Sequence, residues 1–125
     1  MGKQRVPRTH AGGIWTKARY FSFIRSALRR ASIKYPVKYQ VKEEARRNKP
    51  DGAAGRHAYE YQCATCREWY PDKDVAVDHI RPAGSLKEYK DLPGFVERLL
   101  CEPENLQVLC TSCHDVKTAE ERGAR

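Results

Sequence analysis

Two short stretches of this chain contain the residues whose types and spacing could do chemistry. In Val75-Ala-Val-Asp-His-Ile80 an acid and a histidine are adjacent at the end of an alternating apolar pattern. Glu104-Asn-Leu-Gln-Val-Leu-Cys-Thr-Ser-Cys-His114 then supplies an asparagine and a histidine that follows a cysteine. Carboxylate and imidazole groups can hold metal ions, and an imidazole with a pKa near ~6.5 can accept a proton at physiological pH. A lone histidine would more often be a hydrogen-bonded core residue.

Four of the five cysteines form two Cys-x-x-Cys pairs, Cys63/Cys66 and Cys110/Cys113. The first twenty residues lack the apolar stretch of a secretory signal, and cytosolic thiols are kept reduced, so a disulfide framework is not expected. Two such pairs can present four thiolates in the tetrahedral arrangement that zinc prefers. The sequence therefore predicts a structural zinc site, whereas Cys101, which follows two leucines, is expected to be a buried thiol without a role.

The elements around these motifs are expected to bring them together. The stretch that ends in Asp78 is predicted to be a strand, residues 105–109 a second strand, and residues 111–121 a helix. Antiparallel pairing of the two strands would close the cysteine site and set His114 beside Asp78. Other patterns predict a strand over residues 59–63, a linker over 48–55, a helix over 37–47 and a short helix over 92–100 whose Phe95, Val96, Leu99 and Leu100 point inward.

Residues 20–31 have the spacing of an amphipathic helix, and Pro36 is expected to end it. Its apolar face would contain Tyr20, Phe21, Phe23, Ile24, Ala27, Leu28 and Ala31. Its polar face would contain Arg19, Ser22, Arg25, Ser26, Arg29 and Arg30. Because that face has no acid, phosphate contacts are expected, and the alternative is an ordinary solvated face. Residues 1–13 are basic and almost free of apolar side chains, which predicts disorder in the unbound chain.

The charge of the chain is unevenly divided. Residues 1–58 hold 15 lysines and arginines against three acids, whereas residues 59–125 hold nine against 13, which gives a net charge of +8. A basic helical arm of residues 1–56 and a cysteine-bearing domain of residues 57–125 are therefore predicted, with nucleic acid as the partner of the arm. The alternative is a solvated basic tail. No run approaches the roughly 18 apolar residues of a membrane span, so a cytoplasmic protein with no membrane partner is expected.

Taken together, these motifs resemble those of the HNH endonucleases, which have a ββα-metal fold. Val77-Asp-His-Ile, Asn105-Leu-Gln-Val-Leu-Cys-Thr-Ser-Cys-His-Asp-Val-Lys-Thr118 and the two cysteine pairs carry the resemblance, which covers residues 57–121. The basic segment from Phe21 to Ser32 is similar to N-terminal extensions of small phage-encoded HNH proteins, which implies a host-cell cytoplasm. The implied fold class is α+β, with a small zinc-stapled ββα-metal core and an N-terminal basic helical extension.

The resemblance implies a metal-dependent hydrolase that cleaves DNA phosphodiester bonds. Asp78 and His114 would then bind a catalytic divalent metal, His79 would act as general base, and Asn105 would position the base and its loop. The bacterial toxin members have a histidine pair at the dyad and a further histidine where Thr118 stands here, so only two evident protein ligands remain. The oxygen ligand favours Mg²⁺ or Mn²⁺ over Zn²⁺, and Ni²⁺ is a further candidate.

Several assignments keep an alternative. Arg81 and Lys117 flank the predicted site and are expected to contact phosphate, or to be surface cations without a role. Trp69 and Tyr70 are expected to cover the zinc. The alternative function is a non-catalytic, zinc-stabilised nucleic-acid-binding module, an accessory to phage DNA-packaging or recombination proteins. Such a module has no need to place Asp78, His79 and His114 together.

Overall fold

The computed structural model describes residues 5–123, and in this part of the chain four helices and two small sheets form a mixed α+β structure. The helices are α1 (Lys17–Ser32), α2 (Pro36–Glu44), α3 (Leu92–Leu99) and α4 (Thr111–Gly123). The strands are β1 (Arg46–Asn48), β2 (Tyr59–Gln62), β3 (Trp69–Tyr70), β4 (Val75–His79) and β5 (Leu106–Cys110). Among the described helices, none combines the length and apolar character that crossing a membrane would need.

The described chain divides into two compact units. The first consists of residues 5–35 and 82–100, and the second of residues 36–81 and 101–123. The boundary predicted at residue 56 falls inside the second unit, since β1 pairs with β2 and α2 packs on β4 and β5. Residues 82–100, which lie between the stretches Val75–Ile80 and Glu104–His114, belong to the first unit.

The core of the first unit consists of apolar side chains from α1, α3 and the chain that precedes α3. Its buried members are Phe21, Ala83, Leu86, Phe95 and Leu99. Thr16 caps α1 by accepting a hydrogen bond from the backbone N–H of Arg19 at 3.1 Å. The predicted helices over residues 20–31 and 92–100 are confirmed, with Phe95 and Leu99 fully inward.

Two predictions about Pro36 and the helix after it are wrong. α1 ends at Ser32, and Pro36 is instead the first residue of α2, where its missing N–H costs no helical hydrogen bond. The helix predicted to continue to Arg47 ends at Glu44, because residues 46–48 pair with β2 as an edge strand. A three-residue strand is too short to show an alternating pattern of its own.

The two predicted faces of α1 need correction at particular residues. Phe23 is 52% exposed, and Ala27 and Ala31 are exposed as well. Arg25 is half-buried, and its guanidinium carbon lies 5.8 Å from the centroid of the Phe95 ring. Arg25 stands one turn after Phe21 and one turn before Leu28, so the helical repeat places it on their face. Its predicted place on the exposed basic face is therefore wrong.

The chain before α1 is also more ordered than predicted. His10 and Trp15 exchange backbone hydrogen bonds of 3.0 Å, and residues 11–14 form the turn between them. Gly12 and Gly13 have φ of 67° and 83°, which glycine adopts without the Cβ clash of other residues. The prediction of disorder is thus wrong for residues 10–13, where the Gly12-Gly13 pair, which is typical of a turn, was outweighed by the basic composition. Residues 1–4 lie outside the described part of the chain.

The second unit contains both sheets. β1, β2 and β3 form an antiparallel sheet in that order, and β4 and β5 form an antiparallel ribbon in which Asp78 pairs with Gln107. The predicted strands around Tyr59, Asp78 and Leu109 and the final helix are confirmed, whereas β1 and β3 were not anticipated. β5 leads directly into α4 at Thr111. This continuity fixes the cysteines and the histidine of the motif relative to the ribbon.

Candidate functional site

The four paired cysteines lie together at the point where β5 meets α4. The sulfur atoms of Cys63, Cys66, Cys110 and Cys113 are all within 4.8 Å of one another, and Cys66 Sγ is 4.0 Å from Cys110 Sγ. The five cysteines are free thiols, and Cys101 is buried as predicted.

Backbone hydrogen bonds shape the first cysteine pair as a tight turn. The N–H of Cys63 donates to the carbonyl of Glu68 and the N–H of Arg67 donates to the carbonyl of Cys63, both at 3.0 Å. Arg67 closes the turn in the left-handed conformation, with φ of 66°. The N–H of Ala64 donates to the carbonyl of Val108 at 2.8 Å, which docks this turn on β5. The second pair starts α4, so strand and helix geometry sets both pairs.

The ionisation of the thiols reflects their crowding. Burial opposes ionisation of Cys63, but hydrogen bonds from the backbone at Cys110, Cys66 and Thr65 outweigh it and lower the pKa of Cys63 to about 6. The pKa of Cys113 is raised to about 12, mainly by the hydrogen bond between the thiols of Cys113 and Cys110. Four neighbouring sulfurs thus cannot all become thiolates unless a cation compensates their charge.

The geometry and chemistry of this cluster fit a zinc ion. Zinc–sulfur bonds of about 2.3 Å in a tetrahedron place the sulfurs about 3.8 Å apart, close to the spacing in the cluster. Tyr70 packs against the cluster, and its hydroxyl lies 3.3 Å from Cys66 Sγ. That contact and a further hydrogen bond to Cys110 raise the pKa of Tyr70. The four cysteines could therefore hold a structural metal ion such as zinc, with Tyr70 as a hydroxyl donor to the sulfurs.

A second group of polar side chains lies where the β4–β5 ribbon faces α4. Asp78 is 11% exposed, and its Oδ1 lies 3.7 Å from Nε2 of His114. Gln107, the cross-strand partner of Asp78, donates from Nε2 to Asp78 Oδ2 at 3.1 Å. Two donor atoms that share one cation typically lie about 3–4 Å apart, so Asp78 and His114 are spaced as a ligand pair could be.

Lys117 brings a cation to the same carboxylate. Its Nζ lies 3.2 Å from Asp78 Oδ2, donates to the carbonyl of His79 at 3.0 Å and pairs with Glu121 one turn along α4. Burial opposes its charge, but hydrogen bonds to Glu121 and Asp78 raise the pKa of Lys117. The ammonium therefore balances Asp78 from within the protein.

Asn105 fastens the chain that follows β4. Its Oδ1 accepts from the N–H of Arg81 at 2.8 Å, its Nδ2 donates to the carbonyl of Arg81 at 3.1 Å, and its own carbonyl accepts from Ile80. His79 is the last residue of β4 and pairs with Leu106 across the ribbon. The end of β4, and with it the backbone of His79, is thus held by Asn105 on one side and by Lys117 on the other.

The structure brings the side chains of three predicted site residues together: Asp78, His114 and Lys117. His79 contacts this group through its backbone carbonyl, and Asn105 holds the chain that follows β4. Arg81 enters through its backbone, and its side chain is exposed. Arg19, Arg29 and Arg30 are exposed on α1, in the other compact unit. Gln107 and Glu121 were missed by sequence reasoning. Only spacing could have indicated them: Gln107 is two residues after Asn105, and Glu121 is one helical turn after Lys117.

Comparisons of the chain with protein-family models, with curated proteins and with solved structures found no match.

Proposed function

We propose that this chain is a metal-dependent DNA endonuclease of the HNH type, with a ββα-metal core over residues 57–121. One observation carries the proposal. A largely buried carboxylate on a two-stranded ribbon faces a histidine on the following helix at 3.7 Å, with the adjacent His79 at the strand end. A purely structural aspartate would not need a histidine partner in addition to Gln107 and Lys117.

In this proposal the residues of the second unit divide the work of hydrolysis. His79 takes a proton from the attacking water, and Asn105 keeps its backbone in place through the hydrogen bonds to Arg81. Asp78 and His114 would hold a divalent cation of the Mg²⁺, Mn²⁺ or Ni²⁺ type. When bound, this cation supplies positive charge to the phosphate and to the leaving 3′ oxygen. The four-cysteine zinc would be coordinatively closed and would have a structural role only.

The second candidate is a zinc-stabilised nucleic-acid-binding module without hydrolytic activity, working with DNA-packaging or recombination proteins. The Lys117 ammonium favours it, because Asp78 is already balanced by a cation of the protein itself. The two candidates differ in whether a divalent metal displaces that ammonium from Asp78.

The test is plasmid cleavage. Purified protein is incubated with supercoiled plasmid and Mg²⁺, Mn²⁺ or Ni²⁺, with and without EDTA, and nicked and linear products are quantified. We expect cleavage that EDTA abolishes. His79→Ala should lower the rate by about 10²- to 10⁴-fold while DNA affinity is kept. His57→Ala, an exposed histidine in another part of the second unit, is the matched control and should cleave normally. Cleavage by His79→Ala at the wild-type rate would show that His79 is not the base.

A metal-binding measurement separates the two candidates without relying on activity. Mn²⁺ titration followed by electron paramagnetic resonance should detect one bound Mn²⁺ ion, at a site separate from the cysteine cluster. Asp78→Asn keeps the size and the hydrogen-bond acceptor of this residue but removes its charge, and it should abolish that site. If wild-type protein binds no Mn²⁺ at millimolar concentration and cleaves no DNA, the binding-module candidate replaces the nuclease.

A further inference from the structure

We propose that the exposed side of α1 carries a stacking site for unpaired DNA bases. The site is formed by Trp15, Arg19 and Phe23, which we call the aromatic platform. The inference rests on the proposed function in one respect, since DNA is its substrate, and it deepens that function by naming the kind of DNA. The expected ligand is a single-stranded segment, as occurs in branched, gapped or tailed molecules.

The three side chains lie against one another, and Arg19 and Phe23 are exposed whereas Trp15 is half-buried. The ring centroids of Trp15 and Phe23 are 5.0 Å apart with an interplanar angle of 51°, and the guanidinium carbon of Arg19 lies 5.2 Å from the Trp15 centroid. Phe23 is 52% exposed, whereas Phe21, two residues earlier, is 2% exposed in the core. Ile14, the residue before Trp15, is 67% exposed. A large apolar ring at such exposure lies away from the core of its own unit.

The platform is held in place before any ligand binds. The paired hydrogen bonds between His10 and Trp15 fix the backbone at Trp15, and the next residue, Thr16, caps α1. Phe23 lies one turn after Arg19 on the same helix. A preformed arrangement lowers the conformational entropy that binding must remove, which suits a recognition surface.

Charge identifies the occupant as a polyanion. Residues 5–35, the part of the first unit that contains α1, hold eight lysines and arginines and no aspartate or glutamate. Arg30 lies two turns after Phe23 and therefore on the same side of the helix. Within residues 5–123, no carboxylate lies within ion-pairing distance of Arg19, Arg29 or Arg30. The face thus offers aromatic rings among unneutralised guanidinium groups.

A single strand is the polyanion that satisfies both features. Its phosphates can pair with the arginines, and an unstacked base can cover Phe23 and the exposed part of Trp15. A continuous duplex hides its base faces in the stack and would leave Phe23 and the exposed part of Trp15 in water. An anionic polymer without bases would do the same. The chemistry of the platform therefore selects DNA with an unpaired segment.

Binding measurements on the full chain test this. The probes are oligo(dT), a duplex of equal length and inorganic polyphosphate. Trp69→Phe leaves Trp15 as the one tryptophan, and we expect oligo(dT), but not polyphosphate, to quench its fluorescence. Phe23→Ala should weaken oligo(dT) binding by about 5- to 150-fold and duplex binding by less than about two-fold. Phe23→Leu, which keeps an apolar side chain without a π face, should lose as much, and it is the second variant should the alanine change affect folding.

Three results would overturn the proposal. One is an unquenched Trp15 with equal affinity for oligo(dT) and polyphosphate. Another is full oligo(dT) affinity in Phe23→Leu, because an apolar contact would then suffice. The third is a dimer that sedimentation detects in the wild type and not in Phe23→Ala, with unchanged oligo(dT) affinity, which would assign the face to a second copy of the chain. Plasmid cleavage reports separately: an inactive protein with Phe23-dependent oligo(dT) binding rejects the nuclease and keeps the platform.

Discussion

At the scale of single residues, Lys117 supplies the positive charge that balances Asp78 when no divalent metal is bound. Its ammonium contacts Asp78, the carbonyl of His79 and Glu121. Asp78 is 11% exposed, and a carboxylate at that depth needs a cation or several hydrogen-bond donors. A divalent metal at Asp78 and His114 would compete with this ammonium for the same oxygens.

Replacing Lys117 should therefore have opposite effects on stability and on metal affinity. Lys117→Met keeps most of the aliphatic stem and removes the charge, so the metal-free protein should lose about 1–3 kcal/mol of unfolding free energy. Mn²⁺ affinity should rise, because no ammonium has to be displaced. Chemical denaturation and Mn²⁺ titration measure the two effects. Lys73→Met, at an exposed lysine of the same unit, should change neither. Unchanged Mn²⁺ affinity in Lys117→Met would show that the ammonium and the metal do not share a site.

Asn105 allows a second residue-scale prediction. Its side chain makes two hydrogen bonds to the backbone of Arg81, so Asn105→Ala should cost about 1–2 kcal/mol of stability. The cleavage rate should fall with little change in DNA affinity, because the residue acts on the position of His79 and not on the substrate. Asn105→Asp keeps the acceptor for the Arg81 N–H but replaces the donor to the Arg81 carbonyl by a carboxylate oxygen, which repels that carbonyl. Asn105→Asp should therefore not restore the rate. A variant with normal stability and normal kcat would contradict the positioning role.

At the scale of elements, the cysteine cluster joins the turn after β2 to the junction of β5 and α4. Closed zinc sites contribute directly to folding free energy, so Cys63→Ser or Cys110→Ser should unfold or aggregate the protein. Cys101→Ser, outside the cluster, should be mild. Metal analysis of protein purified without added zinc should find one tightly held zinc per chain, and a strong chelator should lower the Tm. A folded, soluble sample that contains no zinc would contradict this prediction.

Sequence patterns predicted the long elements and missed the short ones. α1 repeats an apolar and a basic spacing over several turns, so its helical period could be read directly, whereas α4 was placed by the cysteine pair that starts it. β1 and β3 have three and two residues, and they exist because β2 supplies hydrogen-bonding partners on both of its edges. Pairing of this kind depends on residues distant in sequence, which local patterns do not contain.

The same limit applies to the faces of α1. A broad apolar stripe was predicted there, but packing uses only the part of it around Phe21, Ile24 and Leu28, and Phe23 lies outside that part. Arg25 was assigned to the basic face by its residue type, although its position in the helical repeat is that of the core. For the candidate site, residue types and order predicted Asp78, His114 and Asn105 correctly as neighbours of the ribbon end. The bridging role of Lys117 depends on side-chain geometry and could not be predicted.

At the scale of the whole molecule, charge is the property that separates the two ends of the sequence. Residues 1–58 carry a net charge of +12 and residues 59–125 a net charge of −4. A basic segment of this kind attracts a polyanion over distances of about a Debye length, which is roughly 8–10 Å at moderate salt. Phosphate contacts from α1 would therefore provide affinity independent of base sequence, while discrimination would depend on other groups.

The salt dependence of DNA binding tests whether α1 contacts phosphates. The structure reduces the predicted set of contacting arginines from four to three. Arg19, Arg29 and Arg30 are exposed, whereas Arg25 packs on Phe95. Each phosphate contact releases condensed counterions, and the slope of log K against log salt is about −0.9 per contact on a duplex. Replacing the three exposed arginines by alanine should flatten that slope by up to about three units and weaken binding to all sequences alike.

Arg25→Ala should leave the slope unchanged and lower thermal stability, because it removes a side chain from the core face. An unchanged slope in the triple variant would exclude α1 as a phosphate-binding element, and the exposed side of the helix would then be better explained by a protein partner.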